Sequence, residues 1–249
     1  TTKTTIDALS FSGLQTLKVD GSTGAELQID NLGNIVALEL TSNLGSGDVV
    51  DVNYSAAATI GSADAQSITT DSSAATVELA GIESTSITTS GTASTIILTD
   101  ASATDVLATV TVAGSSALTL TGTGSTAITT VNAGSMTGAL TLNVSAAASQ
   151  NLTVTGGSGD DSINIGAITA TDTVVGGAGT DTLVTAAAVT AANAAGVSGI
   201  EAVSIVNAAA GGAITQAAGA FSVDTYSIGD TNNENVTLSG LTDEAISFV

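Results

Sequence analysis

"GGSGDDSINIG" runs from Gly156 to Gly166, and "GGAGTDTLV" follows from Gly176 to Val184. Both stretches have two glycines, a third glycine two places on, an aspartate at the sixth position and a large apolar residue at the eighth. Such a stretch is a turn, a phosphate cradle or part of a metal site. A dinucleotide fingerprint needs its glycines between a strand and a helix. Here a strand-like "SINI" or "DTLV" comes next, and a carboxylate inside the loop would repel a pyrophosphate. A P-loop needs a Lys after its last glycine, and neither stretch has one. Turn and metal site remain.

Outward from these stretches the chain reads as strands. Short runs of Thr, Val and Ile alternate with Ala and Ser and are cut by Gly, Asn, Ser or Asp. Leu118, Ile128, Leu140, Leu152 and Ile163 recur every 10 to 12 residues. Two strands per turn give a coil of roughly 20 to 24 residues. Hairpins in a β-sandwich give similar spacing, but Asp20-Gly21 is the only tight hairpin dipeptide of the Asn-Gly or Asp-Gly kind. Trp is absent and Phe appears three times, so the core is thin and built from small residues. That favours a parallel solenoid, in which each turn buries its inner face on the next.

A second repeat supports coils. "FSGLQTLKV" (11–19), "LGNIVALEL" (32–40), "LAGIESTSI" (79–87) and "VSGIEAVSI" (197–205) each turn, usually across a Gly, into Ile or Leu and then a strand. The first two lie 21 residues apart, as adjacent coils would. This unit reads as structural, with no chemistry assigned to Glu83 or Glu201. One short helix is expected near 186–195, capped by Thr185 and closed by Gly196. The expected fold is therefore all-β, an elongated parallel β-solenoid or β-roll with one Ala-rich helix. It divides into an N-terminal β repeat segment (1–110), a solenoid with the glycine loops (111–185), and an Ala-rich spacer with a C-terminal β segment (186–249).

Composition removes whole classes of function. The chain has no His, Cys, Arg or Pro, two Lys and 23 acids, for a net charge of −21. Zinc, copper and haem sites lose their usual ligands, and Ser–His or Cys–His nucleophiles cannot form. Nucleic acid needs many cations and is not an expected partner. No run has the roughly 18 apolar residues of a membrane helix. The start shows no secretory leader, and an opening Thr suits a processed product or a piece of a longer chain. Carboxylate-only catalysis needs two paired acids in a groove, and neither the acid spacing nor the few aromatics suggest one. The chain is not expected to be an enzyme.

The glycine stretches match G-G-x-G-x-D-x-U-x, with U a large apolar residue, at Gly156, Gly157, Gly159, Asp161 and Ile163, and at Gly176, Gly177, Gly179, Asp181 and Leu183. Between them "AITATDTVV" (167–175) keeps Asp172 and Val174 without the glycines. Glycines allow positive φ and aim carbonyls at one point, and calcium takes 6 to 8 oxygens at about 2.3–2.6 Å. These residues resemble the calcium-binding repeats-in-toxin (RTX) family. The resemblance implies Ca2+ between stacked loops, held by Asp161 and Asp181 with carbonyls of the glycines, Asp160 as an extra carboxylate and Asp172 on the opposite edge. The copies start 20 residues apart, two more than unbroken nonapeptides, so Ile165-Gly166 must bulge out. Asp230, Asn232 and Glu234 alternate as calcium-loop ligands do, and Asp48 and Asp51 form a weaker candidate. Asp100 and Asp105 are expected to face solvent. Four Asn-x-Ser/Thr triplets begin at Asn53, Asn143, Asn151 and Asn235.

The remaining composition is rich in Ala, Thr, Ser, Gly and Val, and resembles RTX-bearing surface-layer proteins of Gram-negative bacteria. The resemblance implies a non-catalytic subunit of an extracellular lattice at the bacterial cell surface. It would assemble with itself through calcium and meet surface polysaccharide through a region the sequence does not mark. The alternatives are a calcium-stiffened segment of a large RTX adhesin, or the calcium-binding region of a type I-secreted enzyme.

Overall fold

A computed structural model describes residues 3–21, 25–102, 104–207, 214–217, 221, 223–230, 236–240 and 245–248. The chain is a parallel β-solenoid of about ten turns. Successive strands alternate between two sheets. The first has twelve strands, from Lys3–Asp7 to Ala245–Phe248. The second has nine, from Thr16–Val19 to Val197–Ser198. Ile214–Ala217 and Val236–Ser239 form a separate parallel pair. The two-sheet stack runs through positions 110 and 185 without a break in strand order.

The alternation read in the sequence becomes an inward face and an outward face. Ala65–Asp71 shows it cleanly, with every second residue buried. Inward residues stack in register: Leu142, Ile163, Leu183, Val203 and Tyr226 are successive partners, all nearly inaccessible to solvent. Each such burial contributes about 1.5–3 kcal/mol, and no single large core is needed. Leu118 pairs directly with Leu140, whereas Ile128 and Leu152 are buried just before strands of the other sheet. The apolar spacing thus counts half-turns of the coil. Thr16 pairs with Ala37, so the first two copies of the turn-into-strand repeat sit in adjacent coils. In three copies the glycine takes positive φ (Gly13 75°, Gly81 70°, Gly199 60°), and Ile82 and Ile200 then point into the core.

Of the two extra residues, Ile165 alone leaves the ladder, while Gly166 stays paired. Asn164 pairs with Val184 but Gly166 pairs with Thr185, so Ile165 bulges from the ladder. It remains buried, and Gly166 turns the chain at φ 73° with its N–H donating to Asn164 Oδ1 at 3.0 Å.

The expected helix near 186–195 does not form. Thr185 ends a strand rather than capping a helix, and the helical geometry in that stretch is confined to a 3-10 turn at Asn193–Gly196. The Val189 N–H donates to Gln216 Oε1 at 2.7 Å, its carbonyl accepts from Gln216 Nε2 at 2.9 Å, and Asn193 Nδ2 donates to the Ile168 carbonyl at 3.0 Å. These groups are claimed by neighbouring coils. Ala propensity is worth a few tenths of a kcal/mol per residue and a ten-residue helix is marginal alone, so packing decides.

Candidate functional site: an acid ladder at the solenoid corners

In a parallel stack, strand N–H groups find carbonyls on a neighbouring coil, but several residues that leave a turn find a carboxylate instead. This chain places an acid there. Asp48, Asp64, Glu83, Asp161, Asp172, Asp181 and Glu201 each occupy the position immediately before a strand. Most of their carboxylates reach the backbone N–H of the register-matched residue in the preceding coil. Ala25 N–H donates to Asp48 Oδ1 at 3.1 Å, Asp64 N–H to Glu83 Oε2 at 2.8 Å, and Leu152 N–H to Asp172 Oδ1 at 2.8 Å. Leu140 N–H donates to Asp161 Oδ1, Asp161 N–H to Asp181 Oδ1, and Asp181 N–H to Glu201 Oε2, each at 2.8 Å. The last three link four coils in one ladder. Hydrogen bonds to ionised acceptors are worth roughly 1.5–3 kcal/mol each.

In three of these six acids the second carboxylate oxygen turns back into its own loop. Asp48 Oδ2 accepts from Gly45 N–H at 2.8 Å, Asp161 Oδ2 from Gly157 N–H at 2.7 Å, and Asp172 Oδ2 from Thr169 N–H at 2.7 Å. Asp181 does not do so, and neither does Asp64, whose Oδ2 is also buried without a partner among the described residues. Asp181 is fully buried, yet its Oδ2 accepts no hydrogen bond from any described residue. The two identically spelled loops therefore differ. Gly157 closes the first, while Gly177 and Gly179 in the second take φ near 118° and 117°. Positive φ, expected in both loops, occurs only in the second.

The glycines are needed chiefly because the coils touch. Ala178 N–H donates to the Gly157 carbonyl at 3.1 Å, and Thr180 N–H to Asp160 Oδ1 at 2.8 Å. A methyl group on Gly177 would overlap the Gly157 carbonyl oxygen, and one on Gly176 would overlap that of Gly199.

Asp161 and Asp181 thus come together on one edge, with Asp172 on the other. For calcium, Asp161 and Asp172 already commit both oxygens to N–H donors, whereas Asp181 keeps one buried oxygen open. That open oxygen is what fits a hard cation. Among the described residues, no three acids converge on one point.

The remaining candidates divide. Asp51 lies within a strand and accepts from Asn53 Nδ2 at 3.0 Å, so it does not join Asp48 in one loop. Burial pushes its carboxyl up, as it does that of its register partner Glu78. Asp230 ends the strand Thr225–Asp230, and Asn232 and Glu234 lie outside the described residues. Two expectations are overturned. Asp100 and Asp105 do not simply face solvent. Asp100 accepts from Ser102, Val106 and Leu107 N–H groups at 2.8, 2.6 and 3.2 Å. Burial opposes its ionisation, but these bonds outweigh that and hold its carboxyl below the usual range. Asp105 accepts from Thr126 N–H and from Ala127 N–H. The turn-into-strand acids, given no role from sequence, belong to the same ladder through Glu83 and Glu201. The signal that finds them is an acid directly followed by an alternating run.

Burial pushes the Asp181 carboxyl above the usual carboxylate range. The Asp161 N–H opposes this, while the charges of Asp161, Glu201 and Asp160 add to it. The folded chain therefore binds this proton more tightly than the unfolded chain. Its stabilising effect is complete at pH below the usual range and is lost as pH rises through the raised value. In chelator, lowering the pH from about 7 to about 4 should raise the melting temperature of the wild type relative to Asp181→Asn. A relative shift the other way would refute this assignment.

Comparison of the chain with known protein families, with curated proteins and with solved structures finds no match.

Proposed function

We propose that this chain is a calcium-stiffened structural subunit of an extracellular bacterial surface layer. The observation that carries the reading is where the charge lies. From Leu118 to Asn207 no strand bears a charged side chain, and every acid sits at a corner. Asp160, Asp161, Asp181 and Glu201 gather along one edge, while the one ion pair among the described residues joins Lys3 to Glu26 at the far end. Like charges so stacked repel unless cations neutralise them, and extracellular calcium modules work at millimolar calcium, about 10⁻⁴–10⁻³ M. Calcium held at the glycine loops would stiffen the coils and bridge acidic edges of neighbouring copies.

The uncharged faces suit lattice contacts. Ser84, Thr109, Thr130, Thr153 and Thr173 form one register-matched column on the outside of the second sheet. Short hydroxyl side chains give that face a level surface on which copies, or a surface polysaccharide, can lie without charge repulsion.

Electron microscopy of the purified protein tests this. Ordered two-dimensional arrays are expected with calcium and dispersed subunits in chelator. Arrays indifferent to chelator would sink the proposal. Monomers that calcium only stiffens would replace it with an adhesin stalk.

A further inference from the structure

We infer that the second glycine loop holds its cation one coil later than the repeat spelling implies. The site lies between Asp181 and Glu201 rather than between Asp161 and Asp181, and takes calcium. This rests on the calcium reading above and relocates the ion within it.

Sister positions on the acid ladder differ from Asp181 by one bond. At Asp48, Asp161 and Asp172 one oxygen serves the preceding coil and the other takes an N–H from the acid's own loop. At Asp181 the first bond is kept and the second is missing, so Oδ2 is a buried anionic oxygen with no donor. Leaving such an atom unpaired is costly. The equivalent donor would be Gly177 N–H. Gly199 from the following coil packs there, so close that a side chain on it would lie 3.1 Å from Gly177 N.

A carbonyl oxygen of the following coil lies close to Oδ2. The Gly199 carbonyl oxygen and Asp181 Oδ2 flank the same Cα of Gly176. Glu201, two residues beyond Gly199, places Oε2 at 2.8 Å from Asp181 N and leaves its other oxygen free of any described hydrogen bond. Two carboxylates and a carbonyl, with water completing the shell, make a low-charge oxygen set. Calcium tolerates such a shell, whereas Mg2+ demands stricter octahedral geometry. Glu201 lies outside both nonapeptides, in "VSGIEAVSI". At the first loop the Gly176 carbonyl oxygen and Asp161 Oδ2 flank Gly156 in the same way, but there Gly157 N–H already closes on Asp161 Oδ2 and leaves it no vacancy.

Calcium titration of the chelator-treated full chain tests the placement, read by calorimetry and by the rise in melting temperature. Asp181→Asn and Glu201→Gln each keep an oxygen for the ladder hydrogen bond. Both should weaken calcium binding roughly 10- to 100-fold, within the range that ligand-environment changes produce. Asp161→Asn should bind calcium as the wild type does, although it melts lower at every calcium concentration. Circular dichroism confirms that each variant is folded. If Asp161→Asn loses calcium as fully as Asp181→Asn while Glu201→Gln keeps it, this placement is overturned and the calcium reading survives. A wild type that neither binds calcium nor gains stability from it overturns both.

Discussion

Asp161→Ala should melt roughly 10 °C below the wild type, in chelator as well as in calcium. The substitution leaves two backbone donors without an acceptor, the N–H of Leu140 and that of Gly157. Leu140 and Asp161 are buried, so water does not replace the lost oxygen. Each orphaned donor costs about 1–3 kcal/mol, hence about 4 kcal/mol for both, and a chain of this size loses about 2–4 °C per kcal/mol. Asp161→Asn should fall about midway. One amide oxygen still accepts from Leu140, but the NH2 group then faces the Gly157 N–H, donor against donor. The loss should be local, because a solenoid's stability is a sum over coils and their interfaces. Hydrogen exchange should show the coils of Leu140 and Asp161 losing protection before distant ones. Melting within about 2 °C of the wild type for Asp161→Ala would mean the ladder bonds contribute nothing. Asp172→Ala tests the opposite edge, where Leu152 and Thr169 lose their acceptor.

The same carboxylates explain what was readable in advance. The solenoid was legible because its signals are local and periodic. Leu118 to Leu140 is one coil, Leu118 to Ile128 is half of one, and the excess at Ile165-Gly166 puts a bulge at Ile165. The function of the acids was less legible because one spelling serves two physical tasks. An aspartate at the sixth position of a glycine loop can hold a cation, or can act as a spare peptide oxygen for the coil behind it. At Asp161 both oxygens accept from backbone N–H groups, one in the coil behind and one in its own loop; at Asp181 only one does. Which task is left open depends on where the following coil presses on Gly177, and that coil is spelled twenty residues later. The helix expected near 186–195 failed for a related reason. Its backbone partners, Gln216 and Ile168, lie more than twenty residues away. The sequence alone puts Asp100 and Asp105 in solvent because nothing beside them marks the N–H groups of Val106 and Ala127 as donors in need.

Gly176→Ala should be the most damaging of the small substitutions in the glycine loops. A methyl group there meets backbone, the Gly199 carbonyl oxygen, and lies 2.5 Å from Asp181 Oδ2. No rotamer change relieves a clash with a main-chain atom, so the coil of Gly199 must move away. Overpacking of this kind costs about 3 kcal/mol or more, a drop of roughly 6–12 °C at this chain length. Two other glycines separate crowding from backbone conformation. Gly124 has φ 74° and open space around its Cα, so Gly124→Ala carries only the left-handed penalty, about 1–2 kcal/mol. Gly33 has neither positive φ nor a neighbour within 4 Å, so Gly33→Ala should be nearly silent. The order Gly33, Gly124, Gly176 of increasing loss is therefore the expected result by thermal melting. If Gly176→Ala melts with Gly124→Ala, the coils are not in backbone contact at this corner. A gap would then separate Asp181 from Gly199, and a cation shared by the two coils would lose its carbonyl ligand. Displacement of the Gly199 coil should also loosen calcium, so a lower melting point and a weaker calcium response should appear together in Gly176→Ala and separately in Gly124→Ala.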